Sequence, residues 1–217
     1  MSLERRVMIT LRALAVMMAA LVSPPAMAGA DAFDKGMAAY EAKNFGKARS
    51  ILTGLANAGN AKAQYWLGAM NELGLGGSAD SAMALKWYRK SAEHNNADAQ
   101  YTLGEKLLTG NGLDNNPTEA ISWFRKAAAS GRLGAFLMLA ICYRDGAGVP
   151  KDIVMAHVFA NISTGKWGKM DLVERVKIAK ELGEILTPEQ RAESDALQFG
   201  GMAALSKLPD SSTTGRK

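Results

Sequence analysis

Few residues in this 217-residue sequence could attack a substrate, hold a metal or move a proton. Ser163-Thr164-Gly165-Lys166 is a formal Ser-x-x-Lys, the arrangement that prepares a serine for acylation by β-lactams. The Ser-Asp-Asn and Lys-Thr-Gly segments that complete such a site are absent from the sequence, and a helix end followed by a turn accounts for the same four residues. The two histidines, His94 and His157, and the one cysteine, Cys142, are scattered. They show none of the close spacings by which a chain wraps a metal ion. His94 falls at the end of a predicted helix, where a cation suits the helix dipole. Cys142 lies among Leu139, Ile141 and Tyr143, which reads as a buried thiol, and alone it forms no internal disulfide. Glu72 and Glu105 read as carboxylates on an exposed helix face. Trp87, Tyr88 and Trp123 fall at helical spacing and read as core. The expectation is a non-enzyme without cofactor or metal. A hydrolase or β-lactam-binding protein using Ser163 and Lys166 is the alternative.

Before any of these residues can be placed, the N-terminal segment has to be set aside. Arg5, Arg6 and Arg12 precede an apolar run from Ala13 to Val22, followed by Ser23-Pro24-Pro25 and Ala26-Met27-Ala28. A basic start, a short apolar stretch and small residues at its end describe a secretory signal peptide, here residues 1–28 with cleavage expected after Ala28. The run is shorter than the roughly 20 residues that span a bilayer, so no stable membrane insertion is expected after cleavage. The protein is then periplasmic or secreted. Removal lowers the net charge from +5 to +3. That balance, with no basic stripe and interleaved aromatics evident along the chain, does not point to nucleic acid.

The chain beyond this segment repeats itself with a period of 36. Ala61-Lys62-Ala63-Gln64-Tyr65-Trp66-Leu67-Gly68 returns as Ala97-Asp98-Ala99-Gln100-Tyr101-Thr102-Leu103-Gly104, with a weaker copy from Leu133 to Ala140. Ala84, Ala120 and Ala156 are each followed three residues later by Trp87, Trp123 or Phe159. Each copy reads as two helices joined by a glycine-rich turn, because apolar residues recur at helical spacing on both sides of it. Asp80 or Ser81 offers an N-cap to the second helix, and Pro117 suits a first helical position. Gly59, Asn95 and Gly131 stand in register at the end of each second helix, where a left-handed residue is expected. Gly68 and Gly104 sit inside predicted helices at a cost of about 1 kcal/mol relative to Ala. Close crossing of the paired helices explains them.

These residues resemble the Sel-one-like repeat family, a relative of the tetratricopeptide repeat. The third copy carries the family's turn most fully in Tyr143, Gly146, Gly148, Val149 and Asp152. The first has Asn71 and Gly77 at the Tyr and Val positions, and the second has Leu107, Leu113 and Asn116 at the Tyr, Val and Asp positions. The resemblance implies an all-α, right-handed α/α solenoid. Its expected parts are a degenerate repeat at 29–60, repeats at 61–96, 97–132 and 133–165, capping helices at 166–204 and a disordered tail at 205–217. Thr187-Pro188-Glu189-Gln190 reads as a capping-box start within the terminal pair.

The family pattern also implies where a partner would bind. The first helix of each unit lines the concave side of such an array. The inward-facing residues are then Phe33, Met37 and Tyr40 in the N-terminal unit, and Lys62, Tyr65, Ala69, Glu72 and Leu73 in the next. Asp98, Tyr101, Glu105 and Leu108 come from the second full unit, and Leu137, Ile141 and Arg144 from the third. Apolar and aromatic groups with a few charges suit a partner protein or an extended peptide. The expected function is an interaction scaffold or regulator in the bacterial cell envelope. A secreted host-interaction factor is a further alternative, and the residues leave the oligomeric state open.

Overall fold

The computed structural model describes residues 25–111, 115–163 and 172–199. The segment expected to direct export lies almost entirely before them, and Lys166 and the expected tail at 205–217 lie outside them. Ten helices are described: α1 (Pro25–Glu41), α2 (Phe45–Asn57), α3 (Ala61–Glu72), α4 (Ser81–Glu93), α5 (Ala97–Thr109), α6 (Pro117–Ala129), α7 (Leu133–Asp145), α8 (Ile153–Ser163), α9 (Leu172–Ile185) and α10 (Pro188–Phe199). No strand occurs among the described residues. The helices pair as α1/α2, α3/α4, α5/α6 and α7/α8, and the second helix of each pair packs on the first of the next. Both α9 and α10 pack on α8. This is an all-α, α/α solenoid with a terminal helix pair.

Helix boundaries follow from side chains that satisfy the orphan amides of a first turn. Asp80, Asn116 and Asp152, spaced 36 apart, accept from the amides of Met83, Glu119 and Met155 at 2.9, 3.1 and 2.9 Å. Their own amides donate back across the turn to the carbonyls of Asn71, Leu107 and Tyr143 at 2.8, 2.8 and 2.9 Å. Asn60 and Asn96 cap α3 and α5 in the same manner, whereas Arg132 gives α7 no side-chain cap. Asn95 takes a φ of +61° between Gly59 at +88° and Gly131 at +84°, so the left-handed helix endings recur as expected. Thr187 and Gln190 exchange reciprocal side-chain bonds at the start of α10.

Close crossing within pairs is literal. A Cβ on Gly68 would stand 2.7 Å from the Tyr88 ring, and one on Gly104 would stand 2.6 Å from Phe124. Tyr88 and Phe124 are buried between their helices. Trp87 and Trp123, expected in the core, are instead half-buried at its edge, with Lys90 4.8 Å and Lys126 4.2 Å above their rings. The next residue along each helix takes the core position, because the stripe facing the partner helix is narrower than an aromatic pair.

The first copy departs from the third by a coupled exchange. Ile121 and Val149 pack in one apolar cluster in the third turn. The residue that corresponds to Ile121 is Arg49, and the one that corresponds to Val149 is Gly77. The Arg49 guanidinium lies 3.5 Å from where a Gly77 Cβ would be. It donates to the Leu75 carbonyl at 3.2 Å, to Asn71 Oδ1 at 3.0 Å and to the Met70 carbonyl at 3.5 Å. A cation that binds turn carbonyls replaces an apolar contact, and the missing side chain at Gly77 makes room for it.

Candidate protein-interaction face

The residues expected to meet a partner lie on α1, α3, α5 and α7, with Leu73 at the C-terminal cap of α3, and the structure separates them into two kinds. Lys62 and Asp98 are exposed, as is Leu73, which is 64% exposed. The aromatic members are half-buried and already have neighbours. Tyr40 meets Phe45 and Trp66 with ring centroids 5.5 and 5.1 Å apart. Tyr65 lies 5.6 Å from Tyr88, and Tyr101 lies 5.9 Å from Phe124 with the Arg132 guanidinium 5.0 Å from its ring. Phe33 joins the N-terminal cluster, while Leu108 and Leu137 join the main one. Met37, Ala69 and Ile141 are half-buried.

Glu72 and Glu105 are not the freely exposed carboxylates that the sequence suggests. Glu72 accepts from Tyr88 Oη at 2.9 Å and from Lys106 Nζ at 2.6 Å. Burial alone would raise its carboxyl, but these two donors outweigh burial and hold it below the ordinary range. Burial dominates at Glu105 and pushes its carboxyl up, with the Tyr101 hydroxyl partly opposing. The same cause raises the Tyr65 phenol. Arg144 pairs with its neighbour Asp145 at 2.7 Å. Two contacts run from one first helix to the next: Glu72–Lys106 joins α3 to α5, and Asp98–Arg132 at 3.1 Å joins α5 to the residue that precedes α7. These two contacts link α3, α5 and the start of α7 along one face.

Two buried glutamines have a structural role that their repeat pattern alone does not disclose. Gln64 Nε2 donates to the Ala56 carbonyl at 3.0 Å, and Gln100 Nε2 to the Ala92 carbonyl at 3.1 Å. Each ties a first helix to the end of the preceding second helix. Phe136 stands at this register in the third copy. Recurrence of Gln inside an apolar octad was the available signal. His94 stands at the C-terminal cap of α4, the helix end expected for it, and its Nδ1 lies 2.9 Å from Gln64 Oε1.

The chemical candidates are enclosed. Ser163 is buried and donates its hydroxyl to the Ala160 carbonyl at 2.6 Å. Cys142 is buried too, and burial pushes its thiol up to about 11, with Asp145 adding to the effect. His157 lies beneath α9 and α10, with Nδ1 2.8 Å from Ser194 Oγ. Among the described residues no group of His, Cys, Asp and Glu is placed to hold a metal ion. No described helix is long and apolar enough to cross a membrane.

Paired helices stacked with a 36-residue period, joined along their first helices, define a repeat solenoid of the protein-interaction class. Residues 61–96, 97–131 and 135–160 match the model of the Sel1 repeat, and the chain belongs to the Sel1-like repeat family. The crystal structure of a Sel1 repeat protein from Oxalobacter formigenes is similar, with 28% identity and a TM-score of 0.55 over 60% of this chain and 95% of that one. A second structure is c5321, a protective antigen present in uropathogenic Escherichia coli strains displaying an SLR fold. It shares 25% identity with a TM-score of 0.45, over 75% of this chain and 44% of that one. No curated protein matches the chain. Sel1 repeats typically mediate protein–protein interaction, and their fold is that of a non-catalytic scaffold.

Proposed function

We propose that this chain is an exported scaffold or regulator of the bacterial cell envelope that holds a partner protein against its first helices. The connected face of α3, α5 and α7 carries the reading: half-buried Tyr65, Tyr101 and Ile141 lie beside exposed Lys62, Leu73 and Asp98. Apolar anchors surrounded by charges are the composition of an interaction surface. The basic and apolar stretch before Ala28 supports export. The β-lactam alternative loses support from Ser163, whose hydroxyl points at its own helix.

A double variant tests the face. Leu73→Asp with Asp98→Lys changes exposed groups of the face, including the Asp98 partner of Arg132, and leaves the core packing in place. Partner recovery from envelope extract should fall about tenfold or more, a loss of about 1.4 kcal/mol or more in binding. Unchanged recovery would place the partner elsewhere. Fractionation that finds the protein only in the cytoplasm would end the envelope assignment.

A further inference from the structure

We propose that the exposed faces of the second helices α2, α4 and α6 form a cationic surface that docks on an anionic lipid bilayer. The proposal concerns the opposite set of helices from the protein-binding face and stands independently of it.

The observation is a segregation of charge that the total of +5 conceals. Helices α2, α4 and α6 together carry seven basic residues against two acidic ones, Glu93 and Glu119. Helices α1, α3, α5 and α7 carry four basic residues against seven acidic ones. The two helix sets of one solenoid therefore bear opposite signs. Lys47, Lys86, Arg89, Lys90 and Lys126 are exposed. Of the two acids, Glu93 is exposed, and Glu119 is half-buried and keeps its charge while it accepts from Trp123 Nε1 at 3.2 Å. A face that merely needed solvation would mix both signs. This one is biased towards one sign.

The tryptophans narrow the partner. Lys90 over Trp87 and Lys126 over Trp123 repeat one unit apart, at 4.8 and 4.2 Å. Base stacking on a single-stranded nucleic acid needs open ring faces, and here a lysine covers a face of each ring. Half-buried indoles next to lysines instead suit the headgroup layer, where an amphipathic ring and a cation sit side by side. Each Lys or Arg brought close to an anionic bilayer strengthens binding about fivefold. The contact is peripheral, consistent with the lack of a spanning helix among the described residues.

Co-sedimentation of the purified protein with phosphatidylcholine vesicles, with and without phosphatidylglycerol, provides the test. The protein should bind the anionic vesicles, release at high salt, and show a blue shift in tryptophan emission. The variant Lys86→Glu/Arg89→Glu/Lys90→Glu/Lys126→Glu should bind at least about a hundredfold more weakly. Leu73→Asp/Asp98→Lys should bind as the parent does, which keeps this outcome separate from that of the protein-binding face. If the quadruple variant fails to fold, Lys86→Glu alone should lower affinity about tenfold. Equal binding to neutral vesicles, or variants that bind like the parent, would overturn the proposal. Retention on heparin or duplex DNA without vesicle binding would overturn it in favour of a different polyanion.

Discussion

Helices α4 and α8 are second helices of the same repeat, 72 residues apart, and they show what a register position does and does not determine. Lys86, Trp87, Arg89 and Lys90 on α4 correspond to Val158, Phe159, Asn161 and Ile162 on α8. The core positions agree, with Ala84 and Ala156 both buried. The outward positions do not, because α4 faces solvent there and α8 lies under α9 and α10. On α8 every residue from Ala156 to Ala160 is buried. An amphipathic stripe has widened into burial on all sides, which identifies α8 as the helix that needs a cover. The repeat fixes helix position and pairing, and the residues outside the core stripe record what lies on top.

Substitutions at matched positions should break the two helices unequally. Phe159→Ala should cost about 3–5 kcal/mol by leaving a cavity in the covered core. Trp87→Ala, at a half-buried edge position, should cost about half of that; equal losses in chemical denaturation would contradict the contrast. Exchanging outward residues is the reciprocal probe. Val158→Lys places a charge beneath α9 and α10 and should cost about 3 kcal/mol. Lys86→Val, on the open face, should stay within about 0.5 kcal/mol of the parent.

The turn exchange tests the same principle inside the first repeat. Arg49→Leu should destabilise by about 1–2 kcal/mol, because the turn carbonyls and Asn71 Oδ1 lose their donor. Adding Gly77→Val should recover about 1 kcal/mol by rebuilding the apolar pair of the third copy. A strictly additive double mutant would show that the two positions are not coupled.

The smallest effect is electrostatic and confined to the covered end. Burial holds the His157 imidazole below its ordinary value, with Arg191 acting in the same direction and Asp195 against it. Lys180 and Glu184 of α9 line the same crevice. A histidine depressed in the folded state binds protons more readily when unfolded, so its contribution is intact at higher pH. Stability should be lost as pH falls below about 6.5, and by less than about 1 kcal/mol. Hydrogen exchange should show α9 and α10 loosening before α4, and His157→Gln should flatten that dependence. Loosening that persists in the variant would assign it to other groups.

The helix pairs were legible because a 36-residue identity, glycines in register and cap residues before each helix all report the same local geometry. Gly68 and Gly104 even announced the close crossing. Less legible were contacts between repeats, since one period says nothing about which side chains meet across it. Glu72 looked like a solvated carboxylate until Lys106, 34 positions later, came to stand 2.6 Å away. Gln64 and Gln100 had visible identities and no visible partners. The basic face was hidden for the same reason: its charges are dispersed along the chain and converge only when second helices are considered together. Helical spacing alone admits both Trp87 and Tyr88 to the core, and only Tyr88 is buried, while Trp87 and Trp123 lie half-buried at the edge.

Photocrosslinking in living cells tests the central claim, that a protein partner rests on the first helices. A photoreactive residue at Lys62 or Asp98 should give a discrete protein adduct. The same probe at Lys86, on the second-helix face, should give none of that adduct. An adduct formed only from Lys86, or equally from both faces, would contradict the account.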